Sequence, residues 1–375
     1  MTLMLPAFPP SLRSITGVAQ DLLGSLDGVG DVLPSARSVV LVVIDGLGAI
    51  ALRGHAGHAR RLSAAMTKKD VLSSVFPSTT AAALTSLLTG ADPGAHGLVG
   101  YEVRDPATGL IVNQLSGWEK ARVDPLSWQR IPTVFETAVA AGRPAFAVGM
   151  KEYAGSGFSA ATLRGAAFFS ERTAAERVEL ALSLADEHDG ALVYCYLPEV
   201  DKAGHKHGMD SLEWVAALEE VDAAVPTRIP DGVGVLVTAD HGMVDVPRTR
   251  HLIVDQGSPM QTGVAAIAGE PRMLHVYLDD PGRTDEAAGV WASGVEGAAD
   301  VLTREQAVSA GLLGARPTIE ALARAGDLIV PARGLWALYD GAAEDQRSQG
   351  MIGQHGSLSP EEQRVPYLRL GAFSR

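Results

Sequence analysis

Short runs of apolar, mostly β-branched residues alternate with helix-like segments along most of this chain, and this alternation restricts the fold more than any other feature. The clearest run, Ser38–Ile44, reads SVVLVVI, which is typical of a strand covered on both faces. Similar runs occupy residues 145–149, 191–197 and 233–238, and helical patterns occupy residues 81–88, 133–141, 174–187 and 211–224. Strands that alternate with helices predict a three-layer α/β fold, with a mostly parallel central sheet between two layers of helices.

Residues 247–340 have a different pattern. Gly and Pro are frequent there, and strands are predicted at Met273–Leu278 and at residues 334–338. We therefore expect a smaller α+β insert or cap at residues 247–340, and a main domain formed by residues 1–246 and 341–375.

Charge and cysteine content narrow the class of protein. Asp and Glu total 44 against 31 Lys and Arg, and the net charge of −13 argues against a broad nucleic-acid-binding face. The single cysteine, Cys195, excludes an internal disulfide and a cysteine-rich metal site.

Residues 1–6 contain no basic leader, and no apolar run reaches about eighteen residues. We therefore expect a soluble, cytoplasmic protein without an export signal or membrane segment.

The first candidate functional residue is Asp45, which directly follows Ser38–Ile44 and precedes Gly46-Leu47-Gly48. The carboxyl ends of parallel strands face the ligand crevice of an open sheet, so an aspartate here is well placed for function. Taken alone, the same residue is better explained as a turn or helix N-cap residue.

A second candidate segment is FPSTT at residues 76–80, which leads into the helical pattern at residues 81–88. It places Thr79 and Thr80 at a helix N-terminus, where free N–H groups and positive potential suit a phosphate or a nucleophilic alkoxide. An ordinary N-cap is the simpler explanation of an isolated threonine in this position.

Two aspartate–histidine pairs follow later strands. Asp201 and His205 are four residues apart, so on a helix both side chains can reach one ion. Asp240 and His241 are adjacent and close the apolar run at residues 233–238. Such a pair serves one metal if the turn orients both side chains toward it, but an isolated Asp-His pair is weak evidence.

Taken together, the segments resemble the type I phosphodiesterase/nucleotide pyrophosphatase family of the alkaline phosphatase superfamily. The resemblance covers residues 39–101 and 192–243, and a late histidine, His355, in Gly-Gln-His-Gly. Within these ranges the similar motifs are Asp after the first strand, Phe-Pro-x-x-Thr, Thr-Gly-x-x-Pro-x-x-His-Gly at residues 89–97, Asp-x-x-x-His and Asp-His-Gly-Met. The resemblance implies an alkaline-phosphatase-like fold and a phosphoric ester hydrolase.

The resemblance also implies two divalent metal ions in neighbouring sites. Carried over residue by residue, one ion is held by Asp201, His205 and His355, and the other by Asp45, Asp240 and His241, with the nucleophilic threonine bridging toward it as a further ligand. Imidazole and carboxylate ligands favour zinc, with manganese as the alternative. Two such ions outweigh the three carboxylates by one charge, so an acidic protein can present a locally cationic pocket to a phosphate ester.

Thr79 and Thr80 compete for the role of nucleophile. In the family that this chain resembles, the nucleophile lies three residues after the proline and nine before the threonine of Thr-Gly, and both counts give Thr80. The implied mechanism has two displacements: Thr80 attacks phosphorus to form a phospho-threonine, and water then hydrolyses it. Thr79 is then a structural turn residue.

Two further residues are candidates for substrate binding. The family usually carries an asparagine a few residues after His-Gly, where its amide contacts a phosphate oxygen, and Tyr101 takes that place here. The Tyr101 phenol can donate one hydrogen bond, but a packed aromatic is an equally good explanation. Lys151 follows the apolar run at residues 145–149 and could contact a terminal phosphate, although a solvated lysine is more common.

The predicted function is therefore cleavage of a phosphodiester or nucleotide pyrophosphate bond in a small-molecule phosphate ester or nucleotide. A phosphomonoesterase or phosphonate hydrolase that uses the same metals is the alternative within enzymes. A catalytically silent protein that binds metal and a phosphorylated ligand is the alternative outside them, and the complete set of seven family positions argues against it. The leaving group and the oligomeric state have no readable signal in the sequence.

Overall fold

A computed structural model describes residues 12–374 of the chain. The strands, in chain order, are β1 (Ser38–Ile44), β2 (Val71–Ser73), β3 (Glu102–Arg104), β4 (Ile111–Asn113), β5 (Ala145–Gly149), β6 (Ala167–Ser170), β7 (Leu192–Leu197), β8 (Val233–Thr238), β9 (Val244–Asp245), β10 (His251–Val254), β11 (Val264–Glu270), β12 (Met273–Leu278), β13 (Leu302–Thr303), β14 (Leu328–Pro331), β15 (Ala337–Asp340), β16 (Gly353–Gln354) and β17 (Arg364–Gly371).

The α-helices of the same described part are α1 (Val18–Asp27), α2 (Ala49–Gly54), α3 (Arg60–Ala64), α4 (Thr80–Thr89), α5 (Pro93–His96), α6 (Trp118–Ala121), α7 (Pro125–Trp128), α8 (Val134–Ala140), α9 (Gly157–Thr162), α10 (Ala174–Glu187), α11 (Glu199–His207), α12 (Leu212–Ala224), α13 (Thr284–Gly294), α14 (Arg304–Ser309), α15 (Ile319–Arg324) and α16 (Pro360–Gln363).

The main sheet within residues 12–374 has seven strands in the order β2-β17-β8-β1-β7-β5-β6. Five neighbouring strands, from β8 to β6, are parallel, and β17 runs antiparallel to both of its neighbours. All seven residues of β1 are buried, as expected for a central strand covered on both faces. The α/β fold with a mostly parallel central sheet, predicted from the alternating pattern, is confirmed.

Helices cover this sheet in two groups. Helices α1, α4 and α8 contact one another, and α10 and α12 pack together, with α10 lying against β1, β5 and β7. The apolar faces of both groups join the central strands in one large core. This packing fixes the carboxyl ends of β8, β1 and β7 side by side at one edge of the sheet.

A second sheet lies within the predicted insert. Strands β11, β12, β14 and β13 form a four-stranded antiparallel sheet. Its residues Met273 and Ile329 share a buried cluster with Phe76 and Leu98, so this sheet packs directly against the segments that surround the N-terminus of α4. The strand predicted at residues 334–338 begins later, at β15, because Gly334 takes a left-handed turn conformation with φ of 50°. The domain boundaries at 247 and 340 stay a prediction.

Among residues 12–374, no helix combines the length and the apolar character that crossing a membrane requires. Residues 1–6, on which the expectation of no export signal depends, lie outside the described residues.

Candidate active site

Neighbouring strands of the main sheet bring the candidate residues to one edge. Asp45 follows β1, Asp201 lies in the first turn of α11 after β7, and Asp240 and His241 follow β8. Because β8, β1 and β7 are adjacent and parallel, these side chains meet at the carboxyl end of the sheet. His355 reaches the same place from the segment after β16.

One cluster of possible ligand atoms contains Asp201, His205 and His355, whose nearest atoms lie within 4.8 Å of one another. His205 Nε2 is 3.4 Å from Asp201 Oδ1 and 3.2 Å from His355 Nε2. His355 Nε2 is 3.9 Å from Asp201 Oδ1. These are the three residues that the resemblance assigns to one metal ion, and the separations suit a single ion among them.

A second cluster contains Asp45, Asp201 and His241, again within 4.8 Å. His241 Nε2 lies 3.4 Å from Asp45 Oδ1 and 3.5 Å from Asp240 Oδ2. The structure therefore places Asp201 in both clusters, whereas the sequence analysis assigns it to one ion. Asp240 is adjacent to the second cluster through its Oδ2, while its Oδ1 accepts hydrogen bonds from the N–H groups of Gly46 and His241.

The three histidines are oriented in the same way. The Nδ1 of His205 lies 2.8 Å from the Gly353 carbonyl oxygen, and that of His355 lies 2.9 Å from the Ser78 carbonyl oxygen. His241 Nδ1 lies 3.2 Å from its neighbour's carbonyl, Gly242 O. A carbonyl oxygen can only accept, so each Nδ1 carries the proton and each Nε2 presents a lone pair to the clusters.

The carboxylates provide the clearest test of whether cations fit here. One oxygen of each aspartate, namely Asp45 Oδ1, Asp201 Oδ1 and Asp240 Oδ2, is buried and receives no hydrogen bond from any described residue. A buried carboxylate oxygen without a hydrogen-bond donor destabilises the folded state. These three oxygens face three imidazole lone pairs, so all six groups are hydrogen-bond acceptors and none is a hydrogen-bond donor. Carboxylate and imidazole ligands of this kind fit two divalent cations.

The electrostatics of the carboxylates agree with that fit. Burial, together with the nearby Asp240 and Asp201, raises the pKa of Asp45 well above its usual range. Burial also raises the pKa of Asp240, against the opposing effect of His241. The ionised forms of these groups therefore need positive charge close by.

The imidazoles are affected in the opposite direction. Burial lowers the pKa of His355 well below its ordinary value, and the adjacent His241 and His205 lower it further. His355 is therefore neutral, which is the form that binds a metal ion.

Thr80 is the first residue of α4, and its hydroxyl points toward the second cluster. Its Oγ1 lies 3.1 Å from His241 Nε2, and the residue is 9% exposed. Thr79 is the N-cap residue, and its side chain makes no capping hydrogen bond. Of the two threonines, the structure thus brings Thr80 to the clustered aspartates and histidines.

Tyr196 is a contributor that the sequence analysis missed. It lies near the end of β7, and its phenol donates a hydrogen bond to Asp45 Oδ2. This bond leaves Asp45 Oδ1 directed at the second cluster. The available signal was a polar-tipped aromatic next to last in a buried strand, which a single sequence does not distinguish from a packed aromatic.

The two predicted substrate-binding residues are placed differently from the ligands. The Tyr101 hydroxyl interacts with the side chain of Asn113, and the half-buried position raises its pKa. Lys151 is exposed in the short 3-10 helix Lys151–Tyr153 that follows β5. Neither residue belongs to the metal-ligand clusters among the described residues, and their roles stay predictions.

Comparison with known proteins identifies the family of the chain. The model of the type I phosphodiesterase/nucleotide pyrophosphatase family matches residues 39–358. The chain belongs to this family. Its members are phosphoric ester hydrolases of the alkaline phosphatase superfamily, so the family predicted from the sequence motifs is confirmed.

A curated relative is an uncharacterized pyrophosphatase/phosphodiesterase of Schizosaccharomyces pombe, which is 28% identical over 232 residues. The match covers 58% of this chain and 47% of the relative, so the aligned part spans about half of that protein's length.

Solved structures of ectonucleotide pyrophosphatase/phosphodiesterase 5 have a similar fold. The murine protein has a TM-score of 0.68 at 18% identity, and the match covers 89% of this chain and 88% of that one. The human protein has the same TM-score at 16% identity, and the match covers 90% of each chain. At these identities the likeness shows the fold alone.

Proposed function

We propose that this protein hydrolyses a phosphodiester or nucleotide pyrophosphate bond in a small molecule, with Thr80 as nucleophile and two divalent cations as cofactors. The observation that carries the proposal is the set of three buried, donor-free carboxylate oxygens, from Asp45, Asp201 and Asp240, beside the Thr80 hydroxyl and three imidazole lone pairs. Family membership supports the same reaction class.

We assign Asp201, His205 and His355 to one cation and Asp45, Asp240 and His241 to the other, with Asp201 close to both. Zinc is the expected ion, and manganese the alternative. When bound, the ions would supply Lewis acidity, which favours the threonine alkoxide and offsets the charge of the phosphoryl group.

The chain's own residues then have defined roles. Thr80 is held at the N-terminus of α4, where backbone N–H groups point toward an entering phosphate. Its oxygen gives up the hydroxyl proton to solvent and forms the bond to phosphorus as the bond to the leaving group breaks, which gives a phospho-threonine that keeps the substrate's remaining ester group. Water then cleaves the bond between Thr80 and phosphorus, releases the phosphate monoester and restores the Thr80 hydroxyl.

A substrate panel tests the proposal. Protein loaded with zinc or manganese is assayed on bis-p-nitrophenyl phosphate, on p-nitrophenyl phosphate, and on a dinucleotide linked through a pyrophosphate. We expect the diester and pyrophosphate substrates to be hydrolysed with the higher kcat/KM. A preference for the monoester identifies a phosphomonoesterase on the same centre, and metal-loaded protein that cleaves none of them is a silent binding protein. The cytoplasmic location is part of this proposal and is tested by fractionation.

A further inference from the structure

Glu270, the last residue of β11, is a buried carboxyl group without a cation partner among the described residues. It is 6% exposed, and its Oε2 accepts the backbone N–H of Tyr101 at 2.8 Å. Its Oε1 is buried and has no hydrogen-bond partner in the described part of the chain. Glu270 thus ties the four-stranded sheet to the segment where the family places a phosphate-binding side chain.

The same side chain packs on the segment that carries His355. A Cβ atom on Gly356 would lie 2.6 Å from Glu270 Cγ and 2.9 Å from its Oε1, so only glycine leaves room for this carboxyl group. Gly356 also has φ of 130°, a conformation that favours glycine.

Gly356 is in turn fixed to the turn before the nucleophile. Its N–H donates to Ser78 Oγ at 3.2 Å, and the Ser78 N–H donates to the Gly356 carbonyl, also at 3.2 Å. The neighbouring His355 donates from Nδ1 to the Ser78 carbonyl. Glu270 therefore lies against the junction between His355 and the segment that leads to Thr80.

The cation nearest in sequence, Arg272, is committed elsewhere: it donates to both carboxylate oxygens of Glu362 and to two backbone carbonyls. Burial raises the pKa of Glu270 well above its usual range. The charges of Glu102 and Glu362 raise it further, against the hydrogen bond from Tyr101. The neutral acid has one acceptor oxygen and one donor O–H, which a glutamine can reproduce.

We infer that Glu270 is a positioning residue, which holds the Tyr101 segment and the His355–Gly356 segment in a fixed relation and so sets the shape of the phosphate-ester pocket. The inference deepens the proposed function and rests on it for the role of the pocket. It also gives the four-stranded sheet a role in the site, because one of its side chains stabilises two segments at the carboxyl edge of the main sheet.

Three variants test this inference: Glu270→Ala, Glu270→Gln and, as the control, Asp327→Asn. Asp327 is a buried carboxylate directly before β14 of the same sheet. It also accepts a backbone N–H, from Leu278, and the structure shows it bonded to Leu278 and Arg304 rather than to either segment. Hydrogen exchange is measured on peptides that contain residues 98–104 and 353–358, and KM and kcat are measured on a phosphodiester.

We expect Glu270→Ala to accelerate exchange in both peptides and to raise KM on the order of tenfold to a hundredfold, with metal content unchanged. Glu270→Gln should restore most of the slow exchange and most of the wild-type KM. Asp327→Asn should leave exchange in these peptides as in the wild type. Unchanged exchange in Glu270→Ala, the same acceleration in Asp327→Asn, or faster exchange with unaltered KM in an active enzyme would each overturn the inference. If the wild type cleaves no phosphate ester while exchange responds as expected, the positioning role stands and the proposed function fails.

Discussion

His205 Nε2 and His355 Nε2 lie 3.2 Å apart, although both rings are fixed with their protons on Nδ1. Each Nδ1 donates to a backbone carbonyl, so two lone pairs face each other, with Asp201 Oδ1 3.4 and 3.9 Å away. Three acceptors in contact repel one another unless positive charge lies between them. His205 and His355 therefore have the arrangement that is typical of two histidine ligands of one metal ion.

The first prediction concerns metal stoichiometry. We expect the wild type to bind two divalent ions per chain and His205→Ala to bind about one, because Asp201 and His355 alone give too few protein ligands for a stable site. Inductively coupled plasma mass spectrometry after dialysis measures this. The control is His207→Ala. His207 lies two residues further along the same helix, and its Nδ1 is 3.9 Å from Glu213 Oε1. Two ions retained in His205→Ala would contradict the assignment.

The second prediction concerns the nucleophile. Thr80→Ala should lower kcat about a thousandfold or more, because the attacking oxygen is removed while the ligands remain. Metal content should stay at the wild-type value, since Thr80 is not needed to hold the carboxylates and imidazoles together. Rapid quenching with a labelled substrate should show phospho-threonine in the wild type and none in this variant.

Thr79→Ala is the matched control for that experiment. Thr79 is 1% exposed and its hydroxyl makes no capping hydrogen bond, so its loss should lower Tm slightly and leave most of the turnover. If Thr79→Ala were the inactive variant and Thr80→Ala the active one, the nucleophile would have to be reassigned.

The third prediction concerns Tyr196. Tyr196→Phe removes the hydrogen bond to Asp45 Oδ2, and we expect the affinity for the second metal ion to fall about tenfold to a hundredfold. Titration with a chelating dye measures the two affinities separately. Tyr194→Phe is the control, because Tyr194 stacks on Tyr196 in the same strand and carries the same phenol. Equal affinities in the wild type and Tyr196→Phe would show that the bond does not orient Asp45.

The sequence predicted the central strands because their apolar runs are short, continuous and β-branched. The resemblance to the family implied that Asp45, Asp240 and His241 would lie together, and the structure brings them together because β1 and β8 are neighbouring parallel strands that end at one edge. The position of Asp201 between both clusters was not predictable. It depends on the angle at which α11 leaves β7, and no residue type encodes that angle.

Tyr196 and Glu270 show the other limit. Both act through contacts with residues far away in the chain, with Asp45 in one case and with Tyr101 and Gly356 in the other. A buried tyrosine in a strand and a glutamate at a strand end are ordinary residues until the tertiary neighbours are known. The sequence motifs identify the groups that we propose as metal ligands, but not the side chains that contact and orient those groups.

The fourth prediction concerns the dependence of stability on pH. His275 is buried, its Nε2 donates to the Val99 carbonyl, and its Nδ1 accepts the Gly326 N–H, so only the neutral ring fits. Burial lowers the pKa of His275 to about 4. A histidine in the unfolded chain has a pKa of about 6.5. Between these values the unfolded chain binds a proton that the folded chain does not, so the free energy of unfolding falls as the pH falls, by about 1.4 kcal/mol per pH unit.

His275→Gln should therefore be less stable than the wild type at pH 7, by about 1–3 kcal/mol, because a buried hydrogen bond is lost. The difference should shrink by about 1.4 kcal/mol per unit as the pH is lowered from 6.5 toward 4, and should reach zero or change sign by about pH 4, since the variant has no proton to take up at this position. Urea unfolding at several pH values measures the difference directly and cancels effects common to both proteins. His58→Gln, at an exposed histidine paired with Glu219, is the control. A difference that stayed constant over this range would mean that the folded protein accepts a proton on His275. That result would contradict the assignment of a neutral ring with two hydrogen bonds.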